Sequence, residues 1–243
     1  MRRADRFSLL PLTNLSTELP QGAEKTERVR AMFDAIAPRY ELVNHFLTFG
    51  MDRRWRRRAV RDLLLVPAST VLDVASGTGD FTREAARQGL VPIATDLSFG
   101  MLAAGRTPFP LVQADASCLP FRTASFDGLT CGYALRNFTD LQSSFNEMAR
   151  VIRPGGRLSI LEVAEPRLGL WRWGFNLWFR RVVPLIGSLL SDRSAYRYLP
   201  QSTAYLPDAG TLRSMLEGAG FTSVSHRLIL GGLSQQLTAT RSQ

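Results

Sequence analysis

Residues 70–80 read Thr70-Val-Leu-Asp73-Val-Ala-Ser-Gly77-Thr78-Gly79-Asp80, and the reading of that stretch decides the fold. Thr70–Val74 is short, β-branched and apolar, as a buried strand is. The glycines that follow let the backbone turn sharply and approach a ligand closely, and Phe81–Gln88 carries helical spacing. Strand, glycine turn and helix in that order open a parallel α/β sheet, whose ligands bind at the carboxyl ends of the strands.

Outward from that point the alternation continues. Strands are expected at Val91–Thr95, Pro110–Ala114, Phe126–Cys131 and Arg157–Leu161. Helices are expected at Ser98–Gly105, at Leu141–Ile152 (closed by Arg153-Pro-Gly-Gly156) and at Pro207–Ala219. Two last strands, Thr222–Ile229 and Ser234–Thr240, flank Gly231-Gly232, so the final strand should run antiparallel. The fold predicted is α/β: a Rossmann-like doubly wound sheet, mostly parallel. Before it lie a tail at 1–23 and a helical cap at 24–67, with helices at Glu24–Ile36, Tyr40–Thr48 and Asp52–Leu65. Within the main domain, 68–243, the stretch 168–191 breaks the rhythm. It carries Trp171, Trp173, Phe175, Trp178 and Phe179 beside Arg172, Arg180 and Arg181, and reads as an inserted helical lid.

At 243 residues the chain suits one α/β domain with additions. Its apolar share of 45% with 21% charged residues is that of a globular protein rather than a disordered one, and no apolar run reaches the length needed to span a bilayer. Two cysteines, Cys118 and Cys131, without a ligand spacing, point away from a disulfide scaffold and a metal site and toward a reducing cytoplasm. The net charge of +9 favours an anionic partner, either nucleic acid or a phospholipid surface. Much of it falls in the cap, at Arg53, Arg54, Arg56, Arg57, Arg58 and Arg61. Six arginines with no acid between them until Asp62 repel one another unless anions attend them.

The candidate ligand site follows the strand ends. Asp73, Gly77, Thr78 and Gly79 form the first turn. Asp96 closes the second strand, where a carboxylate accepts hydrogen bonds from ribose hydroxyls, and Asp115-Ala116 follows the third, where an adenine amino group can donate. The three features together imply a nucleoside-bearing cofactor. A dinucleotide fingerprint would place a third glycine at position 82, which is Thr82. S-adenosylmethionine carries no phosphate and needs no such cradle, so it is the cofactor expected. Asp73 as a plain structural carboxylate is the competing assignment.

Further marks are Met32-Phe33-Asp34-Ala-Ile-Ala-Pro-Arg39-Tyr40, Asn44, Phe49-Gly50, Leu135-Arg136-Asn137-Phe138-Thr139-Asp140, Arg153-Pro-Gly-Gly156-Arg157, Glu162 and Ser194-Ala-Tyr196-Arg-Tyr198-Leu199, of which the Arg136-Asn137 pair and the last segment are the narrowest. With these the chain resembles, from about Arg28 to Arg241, the ubiquinone/menaquinone biosynthesis C-methyltransferases, class I enzymes often called UbiE or MenG. The resemblance implies methyl transfer from S-adenosylmethionine to a ring carbon of a prenylated quinol, most like demethylmenaquinol. It matches Thr78, Asp96 and Asp115-Ala116 to cofactor contacts. The family often has serine where this chain has Gly132. Other aromatic small molecules, or RNA, are the alternative substrates.

Once a quinol hydroxyl is deprotonated, the adjacent ring carbon becomes the nucleophile. Arg136 is the candidate to stabilise the phenolate, with Asn137 orienting a hydroxyl or water; an arginine tied to Asp140 is the structural alternative. His45 or Tyr40 is the candidate proton acceptor, with a packed or surface histidine the favoured reading of His45, and His226 reads as structural. Expected partners are the prenylated quinol and an anionic membrane surface at the inner face of the cell membrane, with no nucleic acid and with homodimer formation open.

Overall fold

The computed structural model describes residues 22–40, 50–164, 202 and 205–243. The expected tail lies almost wholly outside this set. So do the helix expected behind Pro38, apart from Tyr40, and the aromatic lid stretch.

Seven strands form one sheet in the order β3-β2-β1-β4-β5-β7-β6. They are β1 (Thr70–Val74), β2 (Val91–Asp96), β3 (Leu111–Gln113), β4 (Phe126–Gly132), β5 (Ile152–Val163), β6 (Phe221–Ile229) and β7 (Ser234–Arg241). β1 to β5 pair in parallel, and β7 lies between β5 and β6, antiparallel to both. The strand order reverses between β1 and β4, the switch point at which open α/β sheets take their ligands.

The helices are α1 (Gly22–Ile36), α2 (Met51–Arg61), α3 (Asp80–Arg87), α4 (Phe99–Gly105), α5 (Leu141–Val151) and α6 (Ala209–Gly218). β1 is buried on both faces, as its unbroken apolar run requires. Val71 packs with Ala59, Val60, Leu63 and Phe81 under α2 and α3, while Leu72 packs with Phe145, Met148, Leu212 and Leu216 under α5 and α6. Asp140 caps α5 by accepting from the Ser143 amide at 2.9 Å, and Asp208 caps α6 through the Gly210 and Thr211 amides.

Most described boundaries fall within two residues of expectation, and two differ by more. The cap helix α2 ends at Arg61, four residues early, because Leu64 and Ala68 turn the chain with left-handed backbone. Arg153-Pro-Gly-Gly156 lies inside β5 instead of before it. Ile152 already pairs with Phe126, and an irregularity between Phe126 and Gly128 absorbs the extra residues.

Candidate functional site

The glycine turn is clamped from beneath. Asp73 is fully buried and accepts from the Thr82 amide at 2.9 Å, the Thr82 hydroxyl at 2.7 Å and the Thr130 hydroxyl at 3.0 Å. It thereby satisfies an amide at the start of α3 and ties the turn to β1 and β4. Burial pushes its carboxyl up to about 7, against the pull of those hydrogen bonds. Asp73 is not among the residues that line the cleft, and its carboxylate is used here as an internal clamp.

Gly77 does line the cleft; a side chain there would press on Met101 at 3.2 Å. Thr78 and Gly79, also expected to touch the cofactor, lie outside the lining. Thr78 is buried where a side chain at Gly105 would strike its carbonyl, and that carbonyl accepts from Arg83 at 2.8 Å. Gly79, at φ 89°, supplies the left-handed residue that starts α3.

The cleft encloses about 730 Å³, open solvent included, over the ends of β1, β2 and β4. Asp96 stands in it, accepting from the Gly77 amide and from the Ser98 amide, each at 2.8 Å. Burial pushes its carboxyl up to about 6 despite those amides. Asp115 uses one oxygen for the Ser117 amide and hydroxyl, at 2.8 and 2.7 Å. Its other oxygen has no partner among the described residues. Ala116 completes this edge. The Thr95 hydroxyl in the lining and the Ser76 hydroxyl in the turn are buried without a hydrogen-bond partner among the described residues.

Helix α1 makes the facing wall through Thr26, Val29, Arg30 and Phe33, with Tyr40 beside them. It is fastened at both ends. Asp34 accepts from the Ser98 hydroxyl at 2.5 Å and the Gly100 amide at 2.8 Å, on the β2 side. On the β4 side, Lys25 donates to the Phe138 carbonyl at 2.7 Å, and the Thr26 and Thr139 hydroxyls meet at 2.6 Å. Sequence reasoning assigned these three residues no role. Asp34 falls inside one of the marks of resemblance, which was its available signal.

Of the proposed chemical residues, Asn137 and Tyr40 line the cleft, and His45 lies outside the described residues. Arg136 does not line it. It is buried and ion-paired with Glu162, itself fully buried at the end of β5, while Asp140 is engaged as a helix cap. The structure thus places Arg136 in a buried ion pair and outside the cleft lining. At Gly132 a side chain would meet the Phe81 ring at 2.5 Å, so the space a serine would need is filled by phenylalanine.

The arginine row of α2 is also less uniform than it reads. Arg56 is buried, paired with Asp52 and at 3.2 Å from Asp80, and it lies over the Phe81 and Tyr133 rings. Burial would lower its pKa, but Asp80, Tyr133 and Asp52 reverse this and raise it. Arg57 and Arg58 stay exposed, with Glu84 and Asp62 at 3.7 and 3.8 Å, and Arg53, Arg54 and Arg61 are exposed as well. His226 meets Gln235 at 2.8 Å within the sheet, away from the cleft. Among the described residues no cluster suits a metal ion.

A model of the ubiE/COQ5 methyltransferase family matches residues 21–241. The ubiquinone/menaquinone biosynthesis C-methyltransferase UbiE of Geobacter sulfurreducens is 40% identical over 216 residues, 84% of each chain. The demethylmenaquinone methyltransferase of Deinococcus radiodurans is 39% identical over 218 residues, covering 86% of this chain and 90% of that one. Among solved structures, Haemonchus contortus phosphoethanolamine N-methyltransferase 2, in complex with S-adenosylhomocysteine, superposes with a TM-score of 0.64 at 14% identity. It covers 88% of this chain and 60% of that one, a likeness of fold alone.

Proposed function

The chain belongs to the ubiE/COQ5 methyltransferase family, and from that premise we propose that its cleft holds S-adenosylmethionine against a prenylated quinol, demethylmenaquinol above others. It is an S-adenosylmethionine-dependent C-methyltransferase of quinone biosynthesis. The naphthoquinol is our choice within that class, in keeping with the name of the Deinococcus relative.

The observation that carries the cofactor assignment is the row of acceptors along one edge of the cleft. Asp96 and the unengaged oxygen of Asp115 stand at successive strand ends, beside the close approach that Gly77 allows. The partnerless hydroxyls of Thr95 and Ser76 fit a polar ligand in the same place. Asp96 is assigned to the ribose hydroxyls and Asp115 to the adenine amino group. When bound, the cofactor supplies an electrophilic methyl group on sulfur. The protein must hold the quinol carbon at about 3 to 3.5 Å and in line with it. Helix α1 and Tyr40 close one side, Tyr133, Asn137 and Phe138 the other, and the water they exclude favours a reaction in which phenolate and sulfonium charges cancel.

Disrupting the gene and weighing the cell's quinones tests the reading. It predicts accumulation of a quinone lacking one ring methyl group; an unchanged quinone profile contradicts it.

The substrate's prenyl tail makes a bilayer surface the place of work. No described helix is long and apolar enough to cross a membrane. Supporting peripheral attachment, the exposed arginines of α2 are followed directly by Leu64 and Val66, with 75% and 71% of their surfaces exposed. Cations beside apolar side chains suit the inner face of an anionic membrane.

A further inference from the structure

Helix α1 serves the fold as a roof, apart from the core. Thr26, Val29, Arg30 and Phe33 recur at three- and four-residue spacing, so one face of the helix looks into the cleft. The apolar Val29 and Phe33 lie on that face, and no residue of α1 belongs to either apolar cluster around the sheet. Hydrogen bonds to the body of the fold sit at the two ends of the helix, and the ends are built differently. At the carboxyl end the Asp34 carboxylate accepts from a hydroxyl and an amide of the segment that opens α4, and the chain runs on through the turn Ala37–Arg39.

At the amino end stands Lys25, only 4% exposed, with no carboxylate partner among the described residues. Its Nζ donates to the Phe138 carbonyl at 2.7 Å and lies 3.8 Å from the centre of the Tyr205 ring. Burial lowers its pKa, so the charge is costly there, and an apolar side chain of the same length would fill the space without that cost. A cation gripped by one carbonyl and a ring face gives a directed contact that can also be released. The carbonyl it grips has a particular address. Phe138 ends the tight turn Leu135–Asn137, in which the Asn137 amide donates to the Ala134 carbonyl at 2.8 Å and the Phe138 amide to the Leu135 carbonyl at 3.1 Å. Asn137, Phe138 and Thr139 all line the cleft.

We propose that Lys25 is a positioning residue for the methyl transfer: by joining α1 to the Phe138 carbonyl it closes the roof over the bound cofactor and sets the Asn137–Phe138 wall in the same contact, a role that rests on the cofactor occupying this cleft. A bound cofactor gives Val29 and Phe33 a surface to rest on, so binding and closure favour one another. Asp34 is the hinge of this movement and Lys25 its latch.

The test uses the full chain, with Lys25→Met to remove the cation and its donors at nearly constant length and Lys25→Arg to keep a cation. Release of tritiated S-adenosylhomocysteine, chased with unlabelled S-adenosylmethionine, should be about tenfold faster from Lys25→Met. With a short-prenyl 1,4-naphthohydroquinone under anaerobic conditions its kcat should also fall about tenfold, where loss of binding alone would raise only KM. Lys25→Arg should restore both to within about threefold of wild type. In hydrogen exchange of the wild type, S-adenosylhomocysteine should protect the first turns of α1, residues 135–138 and Asp96–Ser98 together; in Lys25→Met it should protect Asp96–Ser98 alone. The wild-type comparison decides the matter even if Lys25→Met fails to fold, because protection of Asp96–Ser98 without the other two segments overturns the proposal. Wild-type release and kcat in Lys25→Met overturn it as well, and so does a Lys25→Arg variant no better than Lys25→Met. A lowered thermal stability with kcat per folded molecule unchanged marks a merely structural lysine and has the same consequence. If bound S-adenosylhomocysteine protects none of the three segments in the wild type, the cofactor lies outside the cleft, and the site assignment falls together with the latch.

Discussion

In the proposed cofactor assignment the Asp96 carboxylate ties the local chemistry to binding. Its oxygens already accept from two amides, and ribose hydroxyls add charge-assisted hydrogen bonds only while it is ionised. Asp96→Ala should weaken S-adenosylmethionine binding by about 2 to 4 kcal/mol, read by calorimetric titration. Because the carboxyl is pushed up to about 6, mainly by burial and further by the Asp34 charge, the ligand selects the form present above that value. Wild-type affinity should therefore decline as the pH falls through about 6, and Asp96→Asn should be flat across that window; matching profiles would contradict the assignment. Gly132 gives the steric counterpart. Gly132→Ser drives its Cβ into the Phe81 ring, so it should destabilise by about 1 to 3 kcal/mol in denaturant unfolding, and much less when combined with Phe81→Leu. That Asp96, Asp115 and Ala116 would stand together in one cleft was legible in the sequence, because a strand end fixes where its last side chain can go. The role of Asp73 was not, since the same position serves equally to clamp a turn, and only the placement of Thr82 and Thr130 decides between the two.

Helix α1 acts as a strap, held to the β2 side by Asp34 and to the β4 side by Lys25 and Thr26. Removing the Asp34 carboxylate leaves the Gly100 amide and the Ser98 hydroxyl without that acceptor and frees one end of the helix. Asp34→Ala should accelerate hydrogen exchange across α1 by about tenfold, as local opening becomes easier, and leave α5 unchanged; unaltered exchange in α1 would show that the strap is held elsewhere. At this scale the strands and helices of the sheet were readable, because apolar runs and glycine turns mark them locally. The strap was not, because hydrogen bonds between residues more than sixty positions apart leave no periodic trace. The arginine row misled in the other direction. Its Asp52–Arg56 spacing of four positions is the signal that one of the six belongs to an internal pair.

For the whole molecule, the charge of +9 becomes a statement about place once Arg56 is set aside as buried. Each exposed arginine near an anionic bilayer contributes about 1 kcal/mol, so the proposed attachment through several of them should weaken with salt. In vesicle sedimentation, binding should rise with anionic lipid, and replacing Arg54, Arg57 and Arg58 by glutamine should reduce it; indifference to lipid charge would contradict the surface reading. The central claim is the transfer of a methyl group to a quinol ring carbon, and its most direct measurement is mass spectrometry of the product formed by the purified chain from demethylmenaquinol and S-adenosylmethionine bearing a deuterated methyl group. The account predicts one labelled methyl in place of one ring hydrogen, with the label retained in ring fragments. A product labelled on oxygen, or no labelled quinol at all, would contradict it.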